Sequence, residues 1–152
     1  MPTTDAPGGL HLIKLAVGCE TADDLARRQA AILARDRCLR HRTRQCPRRR
    51  AELLAGGSIY WVVRGQVLLR QRLLAIEVAV PPAVERRCTL LLLDPTLMRT
   101  AVKAQRPFQG WRYLAQAAAP RDLGPFRAGT EAGDDDAMPA AMQAELRALG
   151  LL

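Results

Sequence analysis

The chain has almost no lysine. Of its 23 basic residues only Lys14 and Lys103 are lysines, and the rest are arginines. A GC-rich coding bias makes that exchange without any functional reason, so the ratio alone carries little. Aromatic residues are scarce: two Trp, two Tyr and two Phe. No apolar run approaches the roughly 20 residues that a membrane-spanning helix needs, which argues against a helical anchor. No basic-then-apolar leader opens the chain, so the expectation is a cytoplasmic protein with no membrane partner. The four cysteines (Cys19, Cys38, Cys46, Cys88) form no CxxC pair, and in a reducing compartment disulfides are not expected. There is no GxSxG, P-loop, GxGxxG or HExxH motif. Nothing in the sequence therefore requires catalysis or a cofactor.

What is present is positive charge, unevenly spread. The 152 residues carry a net charge of +8. Five of the 15 acids (Glu131, Asp134, Asp135, Asp136, Glu145) and one of the 23 basic residues (Arg147) lie beyond residue 127. The remainder thus holds 22 basic against 10 acidic residues, a net +12. Ten arginines fall between Arg27 and Arg50, with Asp36 the sole acid among them. A solvated face normally mixes both signs. A cluster of one sign favours phosphate backbones through counterion release and bidentate guanidinium contacts.

The length suits one domain, since domains run about 100–200 residues. Residues 10–127 read as a single α+β domain, 128–138 as a flexible acidic linker, and 139–152 as a C-terminal helix started by Pro139. His11 to Gly18 alternates as a strand. Leu12, Lys14 and Ala16 face one way; Ile13, Leu15 and Val17 form the more apolar face. Thr21 with Asp24 three residues on has capping-box spacing. The helix that follows places Leu25, Gln29 and Ile32 on one face. Leu39–Gln45 reads as a short edge strand, and Pro47–Leu54 as a short helix ended by Gly56-Gly57. Ser58–Arg64, Gly65 and Gln66–Val80 form a strand, turn and strand. Arg87–Leu93 is another strand, and Arg106–Leu114 is a final one with a glycine bend.

Cys38, His41 and Cys46 could supply three zinc ligands, with Cys19 or His11 as a fourth. Structural zinc sites usually pair two tight knuckles, however, so free thiols and no metal are expected. The aromatics divide. Trp61, with Ile59 and Val63, reads as core. Tyr60, Trp111 and Tyr113 stand beside arginines, as stacking platforms for single-stranded nucleic acid do.

The motifs Thr43-Arg44, Pro47-Arg48, Gly56-Gly57-Ser58, Tyr60-Trp61-Val62, Arg70-Gln71 and Arg106 to Leu114 resemble those of a small bacterial family of unknown function. The likeness spans about residues 10–124, so the acidic tail reads as an addition. More loosely, Gly57-Ser58 followed by paired strands with a glycine turn resembles PUA-like barrels, including the ASCH group. That resemblance implies a small, mostly antiparallel barrel with an early helix and a cleft for RNA or modified bases. The expected architecture is a curved, mostly antiparallel sheet or such a small barrel, with two packed helices.

The expected function is nucleic-acid binding, RNA before DNA. Arg44, Arg48, Arg49 and Arg64 would contact phosphate, as would Arg70, Arg72, Arg106 and Arg112. Tyr60, Trp111 and Tyr113 would stack on bases. The acids Asp134 to Asp136 would shield the basic surface in cis. Two alternatives remain open. One is an enzyme acting on a nucleotide or nucleic acid, with Arg44, Arg112 and Tyr113 around a pocket. The other is a basic protein-interaction module.

Overall fold

A computed structural model describes residues 9–79 and 88–126. The expected acidic linker, the C-terminal helix and the shielding acids lie outside these residues.

The described chain is one curved sheet of eight strands with two helices. The strands are β1 (Leu10–Leu15), β2 (Leu39–Thr43), β3 (Ser58–Val63), β4 (Gln66–Ala79), β5 (Cys88–Leu93), β6 (Leu97–Ala104), β7 (Trp111–Ala115) and β8 (Asp122–Phe126). The helices are α1 (Ala22–Asp36) and α2 (Arg50–Leu54). The main path runs β2-β5-β4-β3-β1-β7, with β6 pairing β4 and β8. Every pairing is antiparallel except β1 with β3, which are parallel. That parallel pair requires a long crossover, which α1, β2 and α2 provide. The sheet is open, with β2 and β7 at the ends of its main path, so the expected curved, mostly antiparallel sheet is present and a closed PUA-like barrel is not shown among the described residues.

Local signals explain most elements. Thr21 accepts a hydrogen bond from the Asp24 amide, and Asp24 accepts one from the Thr21 amide, so the capping box closes both ways. Arg64 (φ 49°) and Gly65 (φ 78°) join β3 to β4 in a two-residue hairpin, where left-handed φ values match the strand twist. Gly57 allows the chain to pass between α2 and β1. A Cβ there would lie 2.3 Å from the carbonyl oxygens of both Leu10 and Leu53.

The sheet buries both faces of its centre. On the inner face Leu12, Ile59, Trp61, Leu69 and Leu91 form the main core, against which Ala22, Ala26 and Ile32 of α1 pack. On the outer face Ile13, Tyr60, Val62 and Val67 form a smaller core covered by Phe108, Leu114 and Ala119. Every residue of β3 is consequently buried. Of the more apolar face, Ile13 and Leu15 pack on the smaller core and Val17, beyond β1, is exposed. The face that carries Lys14 lines the main one, between Leu12 and Ala16.

Candidate functional site

The inner face holds an unusual polar set. Gln71 accepts from Gln29 Nε2 (2.7 Å) and Trp61 Nε1 (2.8 Å), and it donates to Gln29 Oε1 (2.7 Å) and the Asp94 carbonyl (3.0 Å). All four hydrogen-bonding capacities of this fully buried amide are thereby met, and Trp61 is fixed in one orientation. His41 points inward from β2, its ring edge-on to Trp61 at 5.1 Å.

The two ends of the sheet meet along a seam. Its upper half is closed by side chains. Trp111 Nε1 donates to the Gln45 carbonyl (3.0 Å), and the Tyr113 hydroxyl accepts from the Arg48 and Arg49 amides (3.0 and 3.1 Å). The Arg49 guanidinium lies over the Tyr113 ring, 5.5 Å from its centre. The lower half is open. There, under α1, lies a cavity of about 230 Å³, bounded by Lys14 and Val17 near β1, Arg28 of α1, and Arg40, His41 and Arg42 of β2. Trp61, Leu25 and Leu93 supply its apolar wall. Among the described residues none of those lining it is acidic.

The electrostatics match that geometry. Burial pushes the half-buried Lys14 ammonium below its ordinary value. His41 falls to about 4, first through burial and then through the nearby Lys14 and Arg28 charges. It is therefore neutral at pH 7, and its buried Nε2 has no hydrogen-bond partner among the described residues. Arg28 donates to the Val17 carbonyl, which fixes its guanidinium at the cavity. Among the described residues no carboxylate forms an ion pair with Lys14, Arg28 or Arg42, while Arg40 lies 4.0 Å from exposed Glu77.

The residues expected at a nucleic-acid site do not form one patch. Tyr60 is only 4% exposed, beneath the smaller core, which corrects its expected exposure and leaves its ring no free face. Trp111 and Tyr113 are half-buried, and their polar atoms hold the 45–49 segment. Arg44, Arg48 and Arg49 stand exposed at the closed seam, although Arg49 also grips Glu52. Arg64 and Arg106 lie at the hairpin end, where Gln105 bonds back to Gly65. Arg70 and Arg72 lie toward the other end of the β3–β4 pair, opposite Tyr60 and Ser58. Arg70 is held by Asp122 through two nitrogens and also by Ser58. Arg72 is exposed. Arg112 rests over Phe108 on the outer face, whereas Tyr113 faces inward, so the two do not frame one pocket.

Lys14, Arg28, Arg40, His41 and Arg42 are the residues that sequence reasoning did not gather. One signal was available for Lys14: a charge between Leu12 and Ala16 on one strand face. Cys38 and His41 do not assemble a ligand set with Cys46. Cys38 Sγ accepts from Arg40 (2.9 Å) and Cys46 Sγ turns to the Pro47 carbonyl (3.6 Å). Among the described residues no group of three His, Cys, Asp or Glu could hold a metal ion. Among them, too, no helix is long and apolar enough to cross a membrane.

No curated protein and no solved structure matches the chain. A family model matches residues 12–152, and so includes the acidic tail that had read as an addition. The chain belongs to that family, DUF1489, proteins of unknown function.

Proposed function

We propose that the protein is a cytoplasmic nucleic-acid-binding module, RNA before DNA, that grips phosphates with the arginines of β2 and the turn after it. The observation that carries this reading is the set of exposed guanidiniums without carboxylate partners. Among the described residues Arg28, Arg42, Arg44 and Arg48 form no ion pair, and they follow the chain from α1 through β2 to the closed seam. An unpaired guanidinium is free to take a phosphate in bidentate fashion. Arg72, Arg106 and Arg112 are auxiliary contacts elsewhere on the sheet. Arg49, Arg64 and Arg70 contribute less, because each has a carboxylate within ion-pair distance. Trp111 and Tyr113 act chiefly by holding the Arg48–Arg49 backbone, with their exposed parts left for a base. The acidic segment Asp134 to Asp136 competes for the same arginines.

The test is affinity for mixed-sequence RNA and DNA oligonucleotides across a salt series. Each phosphate neutralised on a single strand lowers the log–log slope by about 0.7. Replacing Arg42, Arg44 and Arg48 together by Ala should flatten that slope by about two units. A slope near zero in the unaltered protein overturns the reading. Deleting residues 128–152 should tighten binding at low salt, and unchanged affinity removes the shielding role.

A further inference from the structure

The open half of the seam shares Arg28 and Arg42 with the reading above, while Lys14 and His41 have no task there. We propose that it is a binding site for a phosphate monoester, which enters phosphate first between Lys14 and Arg28 and meets the His41 ring at its inner end. This inference shares Arg28 and Arg42 with the nucleic-acid reading but does not rest on it, since Lys14 and His41 belong to the cavity alone.

Three independent features support it. The first is a cation kept in an unfavourable place. Lys14 occupies a core-facing position of β1, between residues that are 0% and 2% exposed (Leu12 and Ala16), and has no carboxylate partner among the described residues. A half-buried, unpaired ammonium costs stability that Met at the same position would not. The second is His41 Nε2, a buried polar atom with no partner beside a cavity. Buried polar atoms are almost always satisfied, and a turn of the His41 ring toward the cavity would bring this one to a ligand oxygen. The ring is neutral at pH 7, so it can donate from Nε2 in that tautomer without adding a fixed charge. The third is the wall composition: four cations, no acid, and an apolar side built from Trp61, Leu25 and Leu93.

The shape narrows the ligand. At about 230 Å³ the cavity falls below the roughly 300–1,000 Å³ of pockets that enclose drug-sized molecules. It therefore takes one end of a molecule. Trp61, 1% exposed, closes its floor, so a phosphodiester inside a continuous strand cannot thread through. A terminal monoester carries up to two negative charges and three free oxygens, which suits several converging cations better than a monoanionic diester does. Two sources share this chemistry: a free nucleoside monophosphate and the phosphorylated end of an oligonucleotide.

The experiment is calorimetric titration of the full chain with inorganic phosphate, AMP, adenosine, acetate, and an oligo-A hexamer with and without a 5′-phosphate. Phosphate and AMP should bind, and adenosine and acetate should not. A 5′-phosphorylated hexamer that binds more tightly than AMP identifies the strand end as the source. AMP binding with no effect of the 5′-phosphate identifies the free ester. Lys14→Met should weaken AMP at least about tenfold, the loss of one charge-assisted hydrogen bond, while its thermal midpoint is unchanged or higher. Arg42→Ala, at an exposed position, should weaken AMP without altering the fold, and so keeps the test valid if Lys14→Met fails to fold. Arg121→Ala, at an exposed position outside the cavity and outside the nucleic-acid contacts, should have no effect. Equal heats for AMP and adenosine, acetate binding as well as phosphate, or unchanged AMP affinity in both cavity variants overturns the proposal.

Discussion

His11 and His41 are set into the same sheet in nearly the same way, yet only one of them is finished. Each ring meets an aromatic ring edge-on at 5.1 Å, His11 against Tyr60 and His41 against Trp61. His11 Nδ1 accepts from the Ser58 amide (3.0 Å), and Nε2 lies 2.7 Å from the Gln116 side-chain oxygen. Both nitrogens of His11 are thus used within the protein, as buried polar groups normally are. His41 stops short, with a buried Nε2 that has no hydrogen-bond partner among the described residues. The same contrast divides the seam. Its upper half is closed by Trp111 and Tyr113, and its lower half is left open among cations. Two hydrogen bonds hold the His11 ring, and none holds His41 Nε2 among the described residues.

The largest expected effect follows from removing the finished histidine. His11→Ala strands the Ser58 amide and the Gln116 side chain and leaves a void beside Tyr60. It should cost about 2–4 kcal/mol by urea unfolding. His41→Leu breaks no hydrogen bond to Nε2 and should cost under about 1.5 kcal/mol at pH 7. Equal losses would erase the comparison.

The pH dependence sharpens it next. The His41 value is lowered in the fold, to about 4 from 6.5. Between those values the unfolded chain binds more protons, so stability falls as pH falls through this window. The loss specific to His41 is on the order of 3 kcal/mol between pH 7 and pH 4. His41→Leu should lose that much less over the same range, with unfolding midpoints at each pH as the check. Lowered carboxylates such as Asp24, Asp36 and Glu52 act in the same direction, and the variant comparison cancels them.

Tyr113→Phe tests the closed half of the seam. It removes the one acceptor shared by two backbone amides and should cost about 1–3 kcal/mol, with faster hydrogen exchange at the amides of Arg48 and Arg49. No change in exchange would mean that the hydroxyl does not close the seam. The smallest effect is at Thr21, away from both histidines. Thr21→Ala should cost about 1 kcal/mol of helix capping, measured by thermal unfolding, and should leave ligand affinity unchanged.

Strong local grammar made part of the fold legible. Thr21 and Asp24 marked the α1 start, and Gly65 marked the hairpin. β6 was not legible, because Arg99 and Lys103 interrupt its apolar pattern and burial there comes from pairing with β4 and β8. β8 carries Gly124 and Pro125, residues that weaken a strand pattern except at an edge. The expected strand from Arg106 shrinks to Trp111–Ala115, since Pro107 and Gly110 lie in its first part. Tyr60 misled for a different reason: alternation identifies two faces but cannot show that both are covered. The arginine cluster was visible as charge. The cavity was not, because it joins β1, α1 and β2 through the sheet's curvature rather than through any spacing along the chain.

The most direct measurement is to follow both histidine ring signals by NMR during a titration with inorganic phosphate at pH 7. The His41 signals should move and saturate while those of His11 stay fixed, and the His41 pKa should rise as an anion settles beside the ring. Signals of both histidines that stay still, or that drift together without saturation, would contradict the claim that the open seam is a phosphate site.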